Sequence, residues 1–580
     1  MNKEKILKNL SRRSFLRNSV VAAAGVGLAP TLLSSCNEDD DNTPPFNPEG
    51  NPGFFEGVAS FDPTQDRVVL WSRYTPATNE TGKPAIILDV ATDTDFKTVV
   101  ASETVEVDAG SDNTIYVDVS NLKSNTRYYY RFRNEMTATI SVIGQTKTLP
   151  AAGEVTQINL AVLSCSNYQS GLFNVYGAVA QSEADVVVHL GDYIYEYPAG
   201  GYGTSELTAQ LGRRHEPTGE IIALDDYRTR YRQYRRDPQL QEAHRLKPFI
   251  CVWDDHEIAN DAYTDGAENH QDNEGSFEVR KSNAIQAWAE YLPARVSDNA
   301  KIYRSFDLGG IVNLMMLDTR IIGRNKQLSY SDYFTPSGLD REAFLADWMD
   351  DDRTILGQEQ LSWLQGQLSG SGAAWQVLGN QVLMGKVHIP LELLMTTAEI
   401  TANGVTPELF KKYNELVEQL VTIKSRMMKN DPSLTNEEIG RVQNALPYNL
   451  DSWDGYPAER EVVFAAAAGK KLISIAGDTH NAWHIDLTDA QGHRVGAELA
   501  TSSVSSPGFD GIFGTDPAVI DPFEQSLQLL INDLKYLNAS DRGYVMASFT
   551  QSEANSEWRF VSTLATENIS TTTDYTTTER

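Results

Sequence analysis

Hydrophobic and polar positions change their rhythm near residue 150. From residue 53 onward the stretches Arg67 to Tyr74, Ala85 to Ala91, Thr114 to Val119, Tyr128 to Asn134 and Ile140 to Thr148 are short, β-rich and separated by turn residues. That pattern predicts an all-β sandwich domain over 53–150. Ala151 to Glu154 reads as a linker. Beyond residue 155 apolar runs alternate with helical segments: Ile158 to Leu163, Asp185 to Leu190, Phe249 to Trp253, Val312 to Leu317, Trp375 to Leu378 and Lys471 to Ala476. Runs that are apolar at nearly every position suit strands buried on both faces, so the expectation for 155–565 is a layered α/β domain flanked by helices. Leu409, Tyr413, Leu416, Leu420 and Ile423 recur at helical spacing and predict a helical insertion near 400–446. Residues 566–580 are Thr-rich and read as a disordered tail.

The first 36 residues do not read as fold. The apolar stretch Val20 to Leu33 is too short to span a bilayer, so it reads as a cleaved signal. Arg12 and Arg13, followed by Phe15 and Leu16, resemble a twin-arginine signal, which implies export by the Tat translocase. Leu33-Ser34-Ser35-Cys36 resembles a bacterial lipobox with Cys36 as the lipidated residue. The acidic and Pro-rich residues 37–52 make a solvated tether. The expected location is the periplasm or the cell surface, with membrane contact only through the N-terminal lipid.

Charge narrows the partners. The chain carries 79 acidic and 49 basic residues, a formal charge of -30. Such a surface repels nucleic acid at long range, and no specific nucleic-acid binding is expected. Of the three cysteines, assigning Cys36 to lipid leaves Cys165 and Cys251, for which a disulfide is the default in an oxidising compartment.

Candidate chemistry gathers just after the apolar runs, where layered α/β folds place their sites. Asp192 and Tyr195 follow the run ending at Leu190. A carboxylate at a strand end can bridge two cations, and a tyrosine three residues on can reach one of them as phenolate. Asp254, Asp255 and His256 follow Trp253, offering a metal ligand beside a proton donor, as metal-assisted ester hydrolysis requires. Asp478 and His480 follow Ala476 and can ligate neighbouring ions from one loop. His484 sits four residues further on and reads as a supporting or surface residue.

These segments occur in the order of the metallophosphoesterase pattern. Cys165, Asp255 and Asp478 stand where other members carry Asp or His, Asn, and His. Those departures resemble the alkaline phosphatase D family, as do Leu317-Asp318-Thr319-Arg320, Trp453-Asp454-Gly455-Tyr456-Pro457 and Arg542-Gly543-Tyr544. Gly57 to Pro63 with Val69 to Arg73 is similar to that family's fibronectin-like N-terminal domain. The resemblance implies a metallophosphoesterase β-sandwich flanked by helices and a phosphoric ester hydrolase acting on mono- or diesters. It implies Fe(III) held by Cys165, Asp192, Tyr195 and His480, and one or two Ca(II) held by Asp192, Asp478 and either Asp255 or Asn260. Cys165 is then a ligand rather than half of a disulfide, and Cys251 a small buried hydrophobe. His256 is expected to protonate the leaving group and Arg320 to bind a phosphate oxygen or form a structural salt bridge. Hydroxide generated at the metals would attack phosphorus without a covalent enzyme intermediate. Lys386, His388, Arg213, Arg214 and His215 are loop candidates for the cleft. Two competing readings remain, a purple-acid-type phosphatase, which predicts His at 165 and 478, and a noncatalytic surface-binding lipoprotein.

Overall fold

The computed structural model describes residues 53–80, 82–335, 338–404 and 406–580, the side chains of 401–403 excepted. The expected leader with Arg12, Arg13 and Cys36 and the tether over 37–52 lie outside the described residues.

Among these residues, two large sheets carry the fold. The nine-stranded sheet runs Thr571–Glu579, Ala554–Val561, Arg542–Phe549, Ile158–Leu163, Val186–His189, Pro248–Cys251, Val58–Phe61, Val68–Arg73, Thr114–Val119. The seven-stranded sheet runs Arg304–Leu308, Val312–Met316, Trp375–Gly379, Lys471–Ala476, Arg494–Ala500, Ala482–Thr488, Leu534–Asn538. The central strands of each are parallel. Leu160, Val187 and Ile250 of the first sheet share one buried cluster with Leu314, Val377, Ile473 and Leu499 of the second. This is the expected layered α/β architecture, and apolar residues at successive positions are explained by burial on both strand faces.

Parallel neighbours require crossovers, which are helical from Ile158–Leu163 through Val186–His189 to Pro248–Cys251 and from Val312–Met316 through Trp375–Gly379 to Lys471–Ala476. Pro238–Leu246, ahead of Pro248–Cys251, begins where Asp237 accepts from the Gln239 and Leu240 N–H groups and proline occupies the first turn. It buries Leu240, Ala243 and His244. The insertion consists of Leu391–Asn403, Pro407–Met428 and Asn436–Gln443, and begins earlier than its periodicity indicated. Tyr413, Leu420 and Ile423 are its buried stripe, in one cluster with Ile520, Phe523 and Leu527 of the helix Pro517–Leu530.

The N-terminal sandwich has its second leaf in Val99–Glu106, Ala85–Ala91, Arg127–Asn134 and Gly144–Lys147. Its first leaf is Val58–Phe61, Val68–Arg73 and Thr114–Val119, which is also the edge of the nine-stranded sheet. Alternation along these strands serves two cores at once. Val58, Val68 and Leu70 join Ile86, Leu88 and Tyr130, while Ala59, Phe61, Val69 and Trp71 join the main cluster. The boundary at 150 therefore divides the chain but not the sheet.

One expectation is corrected. Within 566–580, Thr571–Glu579 is no disordered tail but an antiparallel edge strand paired with Ala554–Val561. Threonine favours strands through its branched Cβ, and Tyr575 anchors this one by stacking on Tyr536 at 4.3 Å between ring centroids. No helix among the described residues is long and apolar enough to cross a membrane.

Candidate metal centre

Loops leaving the carboxyl ends of five parallel strands converge on one point. Cys165 follows Ile158–Leu163, Asp192 follows Val186–His189, and Asp254 and Asp255 follow Pro248–Cys251. From the facing sheet come Arg320 after Val312–Met316, and Asp478 and His480 after Lys471–Ala476. The turns are tight: Cys165, Asp192, Asp478 and His480 all adopt left-handed backbone, with φ of 63°, 54°, 56° and 60°. Four non-glycine residues held there at one site mark a surrounding structure that over-determines their geometry. Gly191 shows why glycine precedes Asp192: its φ is 100°, and a Cβ would fall 2.3 Å from the Asp254 nitrogen.

Three overlapping groups of buried donors result: Cys165 with Asp192 and His480, Asp192 with Asp255 and His256, and Asp254 with Asp255 and Asp478. Within each group the donor atoms lie within 4.8 Å of one another. Asp192 and Asp255 are each shared by two groups. Tyr195 completes the first set, its hydroxyl donating to Asp192 Oδ2 at 2.9 Å and lying 3.1 Å from His480 Nε2. His480 Nδ1 donates to the Pro507 carbonyl at 2.9 Å, which leaves the Nε2 lone pair facing Tyr195 and Asp192. Cys165 and Cys251 are both free thiols, as the ligand reading requires. Cys251 lies in the main core.

Negative charge accumulates in this space. Burial pushes the Asp254 carboxyl well above the usual range; Arg320 opposes that, and Asp255, Asp192 and Asp478 add to it. Burial and Asp192 likewise raise the Cys165 thiol. Arg320 is the guanidinium placed among the carboxylates: Nε donates to Asp254 Oδ1, Nη1 to Asp451 at 2.9 Å, and Nη2 lies 3.6 Å from Asp255 and 3.5 Å from Asp478. Wholly buried, it forms the salt bridges that were one of its two expected roles.

His256 is equally enclosed. Nδ1 is bonded to Glu196 Oε2, whereas Nε2 has no hydrogen-bond partner among the described residues. Glu196 also accepts from the Asn260 N–H and from Asn269 Nδ2, both at 2.8 Å. Burial raises its pKa, but His256 foremost and these donors outweigh that and hold the carboxyl down at about 2. Asn260 is buried beside the centre, with its side chain donating to Glu268 at 3.0 Å.

The remaining candidates lie elsewhere. Arg213 pairs with Asp237 at 2.6 Å, His215 is buried against the Tyr197 carbonyl and Tyr234, Lys386 donates to the Asp489 carbonyl, and His388 meets Asp454. Arg214 has an engaged backbone carbonyl that accepts from Gln233. His484 is on the strand Ala482–Thr488, buried rather than on the surface, with Nδ1 3.1 Å from the Tyr575 hydroxyl. Sequence reasoning noted Asp254 without assigning it a role of its own and passed over Glu196, Asp451 and Ser506. For Asp254 the doubled Asp-Asp was a usable signal; the others are defined by partners distant in the chain.

The arrangement has counterparts among known proteins. A model of the PhoD-like phosphatase family matches residues 160–558, and one of the PhoD-like phosphatase N-terminal domain matches 41–150. Alkaline phosphatase D of Bacillus subtilis (strain 168) is 32% identical over 578 residues, covering 96% of this chain and 86% of the relative. A solved structure of PhoD superposes with a TM-score of 0.71 at 28% identity, covering 92% of this chain and 91% of that one. Purple acid phosphatase PPD1 from yellow lupin (Lupinus luteus) seeds shares the fold, with a TM-score of 0.52 at 11% identity over 91% of this chain and 74% of that one. With both domains matched, the chain belongs to the PhoD-like phosphatase family and is a phosphoric ester hydrolase.

Proposed function

We propose that the chain is an exported alkaline phosphatase with phosphodiesterase activity, hydrolysing phosphate esters at a mixed iron and calcium centre without a covalent enzyme intermediate. The observation that carries this reading is the sharing of Asp192 and Asp255 among three buried donor groups. Such sharing suits adjacent ions. Cys165, Asp192, Tyr195 and His480 would hold iron(III), whose positive charge stabilises thiolate and phenolate. The all-oxygen set of Asp255 and Asp478, joined by Asp192 and with Asp254 and Asn260 beside it, would take one or two calcium ions. Asp254 supports the fit, because its buried Oδ2 has no hydrogen-bond partner among the described residues. When bound, such ions neutralise the ester oxygens and acidify water.

The chain's own residues supply the rest. His256 Nε2 is the buried nitrogen able to give a proton to the departing alcohol, and Glu196 fixes its ring by holding Nδ1. Arg320 keeps Asp254 and Asp451 in place and partly offsets the repulsion of the cluster. Export and anchoring rest on Arg12, Arg13 and Cys36, and loss of labelled palmitate from Cys36→Ala would test the anchor. For the centre, the decisive experiment is metal analysis and a visible spectrum of protein purified without chelator, with parallel assays of a chromogenic monoester and diester. A coloured protein holding iron and calcium, whose colour and activity vanish in Cys165→Ala, is the expected result. A colourless, iron-free protein inactive on both esters would overturn the reading.

A further inference from the structure

The run Thr501-Ser502-Ser503-Val504-Ser505-Ser506-Pro507 has the composition of an exposed linker, yet Thr501, Ser502, Ser503, Ser505 and Ser506 are all buried. It leaves the strand Arg494–Ala500 and passes across Cys165, Tyr195 and His480 in turn. The Ser505 and Ser506 N–H groups both donate to the Cys165 carbonyl at 3.3 Å. Ser506 Oγ lies 2.6 Å from the Tyr195 hydroxyl oxygen and 2.9 Å from the same Cys165 carbonyl. The Pro507 carbonyl accepts from His480 Nδ1. One loop therefore touches three of the four residues assigned to the iron.

A serine hydroxyl has one proton and cannot donate to both of its neighbours. The Cys165 carbonyl has two lone pairs and already accepts from two N–H groups. That leaves the Ser506 proton to the Tyr195 oxygen. Tyr195 in turn directs its own proton to Asp192 Oδ2. Once the tyrosine is deprotonated on binding a cation, the Ser506 hydroxyl remains as a donor aimed at the phenolate. The loop is held at its middle: Val504 N–H donates to the Ser164 carbonyl at 2.9 Å, and Arg542, paired bidentately with Asp510, reaches the Ser505 carbonyl at 3.4 Å.

We propose that Ser506 is a positioning residue that donates a hydrogen bond to the Tyr195 phenolate and thereby sets its orientation and donor strength toward the metal. This rests on the reading of Tyr195 as an iron ligand. A hydrogen bond to the phenolate lowers the energy of its filled orbitals, so removing it moves the phenolate-to-iron charge-transfer band to longer wavelength. Substitutions behind a ligand typically weaken metal affinity by about 10- to 100-fold.

The test uses full-length protein loaded with iron(III). Ser506→Ala should shift the visible band to longer wavelength and release iron to a competing chelator at about tenfold lower chelator concentration. Ser506→Thr should keep the band where it is in the wild type. Ser505→Ala, which removes a hydroxyl donating to the Asn167 carbonyl in the same loop, should leave the band in place. Wild-type protein supplies a measurement that needs no variant: the resonance Raman C–O stretch of the tyrosinate should move in D2O. A band unmoved in Ser506→Ala together with a stretch insensitive to D2O would overturn the proposal. Persistence of the band in Tyr195→Phe would instead overturn the ligand assignment beneath it.

Discussion

Replacing Glu196 with glutamine tests the assignment of His256 as proton donor. Glu196 is wholly buried and meets His256 Nδ1, the Asn260 N–H and Asn269 Nδ2. Glutamine is nearly isosteric and keeps an oxygen for the two amide donors, so packing and the loop at 260–269 should survive. What it removes is the negative charge that accepts at His256 Nδ1 and holds the ring in place. A hydrogen bond to a charged group contributes about 1.5–3 kcal/mol, which corresponds to roughly 10- to 150-fold in rate at 1.36 kcal/mol per decade. The loss should depend on the substrate. An alkyl phosphate, whose alcohol leaves poorly, needs the proton and should show the full effect; 4-nitrophenyl phosphate, whose phenolate leaves readily, should lose far less. Steady-state kcat on both esters, at equal metal content, is the assay. Equal losses on the two substrates, or a loss below about threefold on the alkyl ester, would refute the role given to His256 and its carboxylate.

Three further outcomes are expected. Arg320→Met strands the buried Asp254 without its cation, while Asp451 keeps Arg324, and should lower unfolding free energy by about 3–5 kcal/mol, read by denaturant titration; a change under about 1 kcal/mol would mean that solvent or metal already compensates the Asp254 carboxylate. Gly191→Ala places a Cβ 2.3 Å from the Asp254 nitrogen at a φ of 100°, so it should cost more than the ~1 kcal/mol of an ordinary glycine replacement and reduce bound metal; unchanged metal content would show that the turn relaxes freely. Glu196 should also contribute to acid sensitivity. Its folded pKa of about 2 lies below the ordinary glutamate value of 4.5, so its stabilisation is fully present above pH 4.5 and lost as pH falls toward 2. In Glu196→Gln the slope of stability against pH across that window should flatten, and an unchanged slope would contradict the assigned shift.

Much of the catalytic half is determined by the sequence itself. Ile158–Leu163 and Lys471–Ala476 are bounded as their apolar runs predict, because a strand buried on both faces allows few polar positions. Asp192, Tyr195, Asp478 and His480 were legible for a related reason: short polar motifs directly after such strands have a fixed place at the sheet's carboxyl edge. Two edge strands were not legible. Val99–Glu106 and Thr571–Glu579 look polar, and only pairing with a neighbour and, for the second, the Tyr575 anchor on Tyr536 make them strands. The same physics hid the partners of the centre's supporting residues. Glu196 acquires its role from a histidine 60 positions away, Arg320 from a carboxylate 131 positions away, and Ser506 from a tyrosine 311 positions away. Local sequence sets propensity and strand ends, but whether a buried charge or hydroxyl has a partner is decided only when the two sheets close and bring distant loops within hydrogen-bonding distance.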